Sequence, residues 1–381
     1  MKLSVIIVNY NVCYFLEQCL CSLSRSAGVA DMEIIVVDNH SSDNSLAYLK
    51  PRFPGVIFIA RDSNTGFARA NNIGLSICSG SYILFLNPDT ILAEDSLRQC
   101  ISKLETDPGI GALGVRMVDG GGDFLKESKR GFPSPWVSFC KLSGLIRLFP
   151  HSRLFSGYYL GYTRENENCP APVLSGAFMM VRKEILDRIG GFDEQFFMYA
   201  EDIDLCARIR EAGYLNYYLS ETTIIHFKGE STSKDFRYVK LFYKAMSQFT
   251  RKYFKGGFSF ILRALMDLAI WFRAGISLAG QFLRPIKKDG GKTTVKIFLT
   301  GEEPEIKLLA DRLASPQRLF VEKEEEADEI IFCSGDHFPA KEIIGRIGSG
   351  RKGPVCLIHL KGTDSVVGSG SKKARGEAIP L

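Results

Sequence analysis

Asn87-Pro88-Asp89 ends the short apolar run of residues 82–86 (YILFL) and sets a carboxylate where that run stops. Five consecutive apolar residues between Gly80 and Pro88 suit a strand buried on both faces of a parallel sheet. Pro88 cannot donate to a ladder, so the strand ends there. Asp89 then lies just past the carboxyl end of a buried strand, where open α/β sheets bind their ligands. A hard carboxylate in that place can hold a divalent metal against a phosphate. Asn9 and Asp38 end two more apolar runs, and an acid there can accept hydrogen bonds from a base NH or a ribose hydroxyl. Asn64 and Gly66 mark a loop whose backbone NH groups could face a phosphate. Glu201-Asp202 follows an aromatic loop, residues 196–199, and opens a helix. The dipole and free NH groups of a helix start stabilise carboxylates, and in an aromatic cleft such a carboxylate can be a general base. His226, at the end of the strand-like run 216–227, could join Asp89 at a metal. Each group also has a plainer reading when taken singly. Asn-Pro-Asp and Asn-x-Gly make ordinary turns, acids cap helices, and a lone His is usually structural.

The elements that must position these groups alternate. Strands fit residues 3–9, 33–37, 56–60, 82–86 and 111–118. Helices fit 12–24, from about 45 to 50, 68–79 and 95–106. Alternation of this kind predicts a right-handed, mostly parallel α/β sheet. A strand over 177–181, a short helix ending near Gly190-Gly191, a helix over 203–212 and a strand over 216–227 follow. There is no GxGxxG or GxxxxGK[ST] in the first strands, which argues against a dinucleotide site or a P-loop. Residues 133–162 are aromatic and basic, with Trp136, Phe139, Phe149 and Phe155 among Lys141, Arg147 and Arg153. They carry too many charges to span a bilayer. They could form an interfacial patch, a substrate lid or an internal packing insert.

Composition sets wider bounds. A 381-residue chain, 45% hydrophobic and 24% charged, can bury full cores in two or three domains. Its ten cysteines show no CxxC and no zinc spacing, and they suit reduced core thiols in a cytosolic compartment. The start, MKLSVIIVNYNV, reads as a first strand and not as a signal peptide. Residues 228–292 hold fourteen Lys/Arg against four Asp/Glu. Residues 258–283 are apolar but interrupted by Arg263, Asp267 and Arg273, too short between charges for a span. They read as an interfacial helix with basic flanks, with a buried or oligomerising helix as the other reading. No binding motif for nucleic acid accompanies the basic segment. After a linker at residues 289–291, residues 293–381 read as a small α/β unit without a catalytic constellation. Its strands fit 295–299, 319–321, 329–333 and 355–359, and its helices 305–314 and 339–347. Gly-Ser-Gly at 368–370 reads as a flexible loop or a frayed terminus.

Seven motifs in order resemble a family: VNYN (8–11), VVDNHSSDNS (36–45), NTGFARANNIG (64–74), FLNPDT (85–90), SGAFMMVRKEIL (175–186), GGFDEQFFMYAEDIDLCARIREAG (190–213) and IIHFKGEST (224–232). Together they resemble family 2 glycosyltransferases of the GT-A fold, in the bacterial rhamnosyltransferase-like branch, over about residues 1–250. The resemblance implies a Rossmann-like, mostly parallel sheet with flanking helices, followed by the small C-terminal α/β domain. With the composition of the rest, it gives a catalytic domain, 1–235, a basic and apolar helical segment, 236–290, and the unit 291–381. It places Asn87-Pro88-Asp89 at the family's DxD motif, with Asn in place of the first Asp, so that Asp89 is the main carboxylate at an Mg²⁺ or Mn²⁺ ion and His226 its partner. Asp38 becomes the acid that recognises the base, with Asn9 and Tyr10 in the same pocket. Asn64, Gly66 and Asn71 border nucleotide and sugar, and Ser175 and Gly176 lie by donor sugar and acceptor. Asp202 of the Glu201-Asp202 pair becomes the general base.

The implied reaction is inverting transfer from a dTDP- or UDP-sugar, rhamnose-like by preference, to a hydroxyl of a lipid-linked glycan. The implied setting is bacterial surface polysaccharide synthesis, with the protein peripheral at the inner face of the cell membrane, open to assembly as a homo-oligomer and without nucleic acid. Two other classes stand beside it. A nucleotidyltransferase would need a Gly- and Lys-rich triphosphate loop, which the start of the chain lacks. A sugar-nucleotide-binding scaffold without activity would account for Asn87.

Overall fold

The computed structural model describes residues 2–26, 31–227, 236–254, 294–348, 353–369 and 376–381. The expected interfacial helix at 258–283 and the linker at 289–291 lie outside the described residues. The chain begins with β1 (Leu3–Asn9), α1 (Cys13–Ser24), β2 (Met32–Asp38), α2 (Ser45–Arg52), β3 (Val56–Ala60), α3 (Phe67–Leu75), β4 (Tyr82–Leu86), β5 (Thr90–Ile91), α4 (Ser96–Thr106), β6 (Ile110–Val118) and β7 (Lys129–Arg130). There follow α5 (Pro135–Leu142), α6 (Leu145–Leu148), β8 (Cys169–Pro170), β9 (Val173–Leu174), β10 (Phe178–Arg182), α7 (Lys183–Ile189), α8 (Glu201–Glu211), β11 (Leu215–His226) and α9 (Phe236–Tyr253). The third helix stops at Leu75, short of the expected Ser79, because a Ser76 turn closes it onto Asn72 and Gly74 carbonyls.

A nine-stranded mixed sheet orders these strands β3-β2-β1-β4-β10-β6-β11-β5, with β8 on β11. Pairing is parallel from β3 to β4, then β10 enters antiparallel between β4 and β6. The α/β expectation therefore holds, and the continuous apolar runs have their reason. Alternate residues of each strand feed two cores. Leu3, Val5 and Ile7 of β1 pack under α1 and α4, while Ile6 and Val8 face α3, α7 and α8. A strand covered on both faces has no polar side to show. The same double cover hides cysteines: all ten are unpaired, and eight are buried.

Helix α9 joins this core through Ala245 and Phe249. It also brings Lys252 and the Tyr253 hydroxyl to the fully buried Asp204, at 2.6 and 2.7 Å. Asp204 holds Arg208 with its other oxygen at 2.8 Å. Charge inside a core is tolerated only with such complete pairing.

A second sheet comprises β12 (Val295–Gly301), β13 (Arg318–Phe320), β14 (Glu329–Ser334), β15 (Val355–Leu360), β16 (Ser365–Gly368) and β17 (Glu377–Pro380), with α10 (Glu303–Leu313) and α11 (Ala340–Ile347). Its order is β13-β12-β14-β15-β16-β17, parallel as far as β15 and antiparallel after it. The chain end is thus paired and not frayed: Val366 faces Ile379 across the last two strands. A four-residue run that closes on Pro380 carried too little pattern to be read as a strand.

The two sheets share one apolar core. Val12, Phe15, Val118 and Phe227 pack with Phe332, Ile343, Ile347 and Val367. A buried polar seam reinforces it. Gln18 donates to Thr363 Oγ1 (2.9 Å) and to the Ser365 carbonyl (2.8 Å), and accepts from Leu360 N at 3.0 Å. Glu17 accepts from Ser365 Oγ at 2.6 Å and from Tyr48 at 2.8 Å. Gln18→Ala takes the acceptor from the buried Leu360 N and removes three donated bonds from the seam, so stability should fall by about 1–3 kcal/mol. Urea unfolding would register the loss, and an unchanged midpoint would mean that the seam carries no stability.

Candidate active site

Strand register sets the site. Asn9 stands opposite Asp38 at the ends of β1 and β2, and Ile7 opposite Leu86 near the end of β4. The chain leaves β1 for β2 on one side and reaches β4 on the other. The crevice at that reversal is where such sheets hold ligands. Because β10 is antiparallel to β4, its start lies beside the end of β4. Asn87 N donates to the Ala177 carbonyl at 3.0 Å, which brings Ser175 and Gly176 to the crevice. Because β11 is antiparallel to β5, His226 stands opposite Thr90 and next to Asp89.

A cleft of about 360 Å³ opens there. Tyr10, Asn64, Asn87, Asp89, Ser175, Gly176, Glu201, Asp202 and His226, all expected from the sequence, line it. Asn9, Asp38, Gly66 and Asn71 are buried and outside that lining. Their contacts within the protein brace the lining. Asn9 Nδ2 donates to Asp38 Oδ2 (2.8 Å) and to Ser41 Oγ (3.1 Å), and Asp38 Oδ1 accepts from Ser41 N at 3.0 Å. Asn9 Oδ1 has no partner among the described residues. Asn71 donates back to the Phe67 carbonyl at 2.9 Å. Gly66 has φ +83°, and a Cβ there would meet the Phe197 carbonyl at 2.5 Å. Only glycine lets the 64–66 loop approach the aromatic loop so closely.

Asp89 and His226 form the polar end. Asp89 is 3% exposed, and His226 Nε2 lies 3.3 Å from its Oδ1 and 3.2 Å from the Asn87 amide nitrogen. Among the described residues no three His, Cys, Asp or Glu side chains converge as a metal cage. One carboxylate and one imidazole fit a divalent ion that completes its shell with phosphate oxygens and water, the habit of Mg²⁺ and Mn²⁺.

Across the cleft stands the start of α8. Tyr199 and Ala200 precede it with φ +70° and +66°, a left-handed pair of non-glycine residues that costs energy. The bend aims Asp202 into the cleft. Asp202 Oδ1 accepts from its neighbour Ile203 N at 2.8 Å, and Oδ2 from Gly176 N at 3.3 Å and from the Arg130 guanidinium. Burial works against the charge of Arg130, but the Asp202 carboxylate beside it drives its pKa upward, so the guanidinium stays charged. Burial, and then the Asp202 charge, pushes the Glu201 carboxyl well above its usual range. Its Oε2 has no hydrogen-bond partner among the described residues. Two adjacent carboxyl groups thus differ: one ion-paired, one held toward its neutral form.

Sequence reasoning missed Arg130, Glu127, Phe67, Asn39 and Phe242, all in the lining. Asn39 receives Thr65 N (2.9 Å) and donates to Asn64 Oδ1 (3.0 Å), fixing the loop over the cleft. It sits in the VVDN run, where its place after Asp38 was the available signal. Arg130 had none, since it lies 72 residues from Asp202 and only the β7–β9 pairing brings it close.

Residues 4–190 match the sequence model of Glycosyl transferase family 2. An N-acetylglucosaminyl-diphospho-decaprenol L-rhamnosyltransferase of Mycobacterium tuberculosis is 29% identical over 244 residues, 61% of this chain and 78% of its own length. Rhamnosyltransferase WbbL of Escherichia coli is 29% identical over 204 residues, 51% of this chain and 72% of its own. A solved mannosyltransferase of Pyrobaculum calidifontis, in complex with GDP-Man and Mn²⁺, is 19% identical with a TM-score of 0.46, covering 74% of this chain and 76% of that one. Residues 4–190 are thus similar, as a domain, to glycosyl transferase family 2.

Proposed function

We propose that the chain transfers a sugar, rhamnose-like by preference, from a dTDP- or UDP-sugar to a hydroxyl of a lipid-linked glycan, with inversion, in bacterial surface polysaccharide synthesis. The observation that carries this reading is one cleft with the Asp89–His226 pair at one side and the Arg130-held Asp202 at the other. The names of the two rhamnosyltransferases support the sugar class, and the decaprenol in one of them supports a lipid-linked acceptor.

Each residue then has a task. Tyr10 and the Asn64 loop wall the nucleotide side, with Asn9 and Asp38 braced behind them. Asp89 and His226 would hold an Mg²⁺ or Mn²⁺ ion, which when bound neutralises the diphosphate leaving group. Gly176, without a Cβ, leaves space between the cleft floor and Asp202. Asp202 takes the proton of the acceptor hydroxyl as that oxygen attacks the anomeric carbon opposite the diphosphate. Arg130 is a positioning residue that pairs with Asp202 and aims it. Glu201, held toward its neutral form, adds no second negative charge beside the base. The protein works at the inner face of the cell membrane, where a lipid-linked acceptor is presented.

Asp202→Asn should cut turnover by ~10²–10⁴-fold while titration calorimetry finds donor binding unchanged. Equal turnover by the variant would remove Asp202 from the reaction. The same titrations with UDP and dTDP, with and without Mn²⁺, test the other end. Asp89→Ala should abolish the metal-dependent gain in affinity, and a gain that survives would move the metal elsewhere.

The raised Glu201 pKa has a definite sign in stability. The native carboxyl keeps its proton where an unfolded Glu has lost it, so stability falls as pH rises above about 4.3. It stops falling once the native group ionises. Glu201→Gln removes that dependence. The melting temperature of the variant should therefore gain on wild type steadily from pH 5 upward, whereas a constant difference would mean that Glu201 is ionised in the fold.

A further inference from the structure

Residues 131–164, which leave the cleft at Arg130, contain four Lys/Arg, one His and no Asp or Glu. They also hold six of the thirteen large hydrophobic side chains exposed among the described residues: Trp136, Phe139, Leu148, Phe149, Leu154 and Tyr162. Leu148 is 72% exposed and Leu154 59%. These side chains form one surface. Trp136 stacks on Phe139 at 5.8 Å and meets Phe155 at 6.0 Å, and Phe155 meets Phe149 at 5.1 Å. The Trp136 indole NH donates to the Leu154 carbonyl at 2.8 Å, so the ring can enter an apolar medium with no polar group unmet. Arg147, Arg153 and Arg164 are exposed around it.

The surface is tied to the base. Tyr158 returns beside β7, where its carbonyl accepts from Gly131 N at 2.9 Å. Burial would raise the Tyr158 phenol, but Arg130 and then Lys141 pull it below its usual value, so both cations lie against it. Lys141 Nζ sits 3.5 Å from the Tyr158 ring centroid. A line of contacts runs from Asp202 through Arg130 and Tyr158 to Lys141 at the patch.

We infer that this aromatic and basic surface of residues 136–162 docks the protein on a bilayer bearing anionic lipids, with the Asp202 side of the cleft next to the membrane. Exposed apolar area edged by Arg147, Arg153 and Arg164 matches a surface that offers acyl chains below and phosphates above. Aromatic side chains with one satisfied polar end favour that interface. The inference deepens the proposed function, since it would present a lipid-linked hydroxyl to Asp202, but docking itself requires no catalysis.

The test uses the full chain with Trp271→Phe, which leaves Trp136 as its sole indole. Co-sedimentation and Trp136 emission are read with vesicles of phosphatidylglycerol and phosphatidylcholine, and with phosphatidylcholine alone. The chain should sediment with the anionic vesicles and the emission should shift to the blue, with little of either on neutral ones. Leu148→Ser/Phe149→Ser/Leu154→Ser should weaken partitioning at least about ten-fold. Arg147→Gln/Arg153→Gln should do so by about ten-fold. All five side chains are exposed, so circular dichroism should match wild type. Sedimentation without a Trp136 shift would place membrane contact on another segment and overturn the inference. So would no sedimentation, or variants that bind like wild type. None of these outcomes bears on donor binding, so the proposed function stands or falls separately.

Discussion

The antiparallel insertion of β10 between β4 and β6 is the constraint on which the site depends. A wholly parallel sheet would put the start of every strand at the far edge from its neighbours' ends. One reversed strand brings Ser175 and Gly176 to the end of β4, within reach of Asn87 and Asp89. The Gly176 amide then meets Asp202 at the start of α8. The same device recurs at β11 and β5, where an antiparallel pairing sets His226 beside Asp89. Two reversals therefore gather the polar groups from distant stretches of chain into one cleft.

Electrostatics then separates their roles. Asp202 has a guanidinium as its ion-pair partner, and charge buried without a partner would be costly. Glu201, one residue earlier, has burial and a like charge against it. The left-handed turn at Tyr199 and Ala200 stores backbone strain at the same point. The fold meets that cost from behind: Asp204 locks α8 to α9 through Lys252 and Tyr253, two residues beyond Asp202.

Most of this was legible in the sequence. Runs such as SVIIV and YILFL announce strands covered on both faces, and polar residues at their ends announce a site. Nine expected residues do share the cleft. What was hidden depends on long-range geometry. Arg130 is an ordinary arginine until the β7–β9 pairing turns it toward Asp202. That Asn9, Asp38 and Asn71, expected as ligand contacts, also brace the cleft through bonds within the protein is another such feature. The last strand was too short to show a period. The shared core at Phe15, Phe227 and Ile343 had no local signal, because each of its sides reads as the buried face of its own unit. That core reaches the site: Phe227 follows His226 directly, so the second sheet backs the strand that holds the imidazole.

The anomeric configuration of the transferred sugar tests the central claim most directly. Proton NMR during turnover of whichever sugar nucleotide the chain consumes would read it. A single displacement with Asp202 as base predicts a glycosidic bond of configuration opposite to the donor's, from the first turnover onward. Retention of configuration would require a second displacement or a front-face path, and would contradict Asp202 as the base of a single in-line displacement.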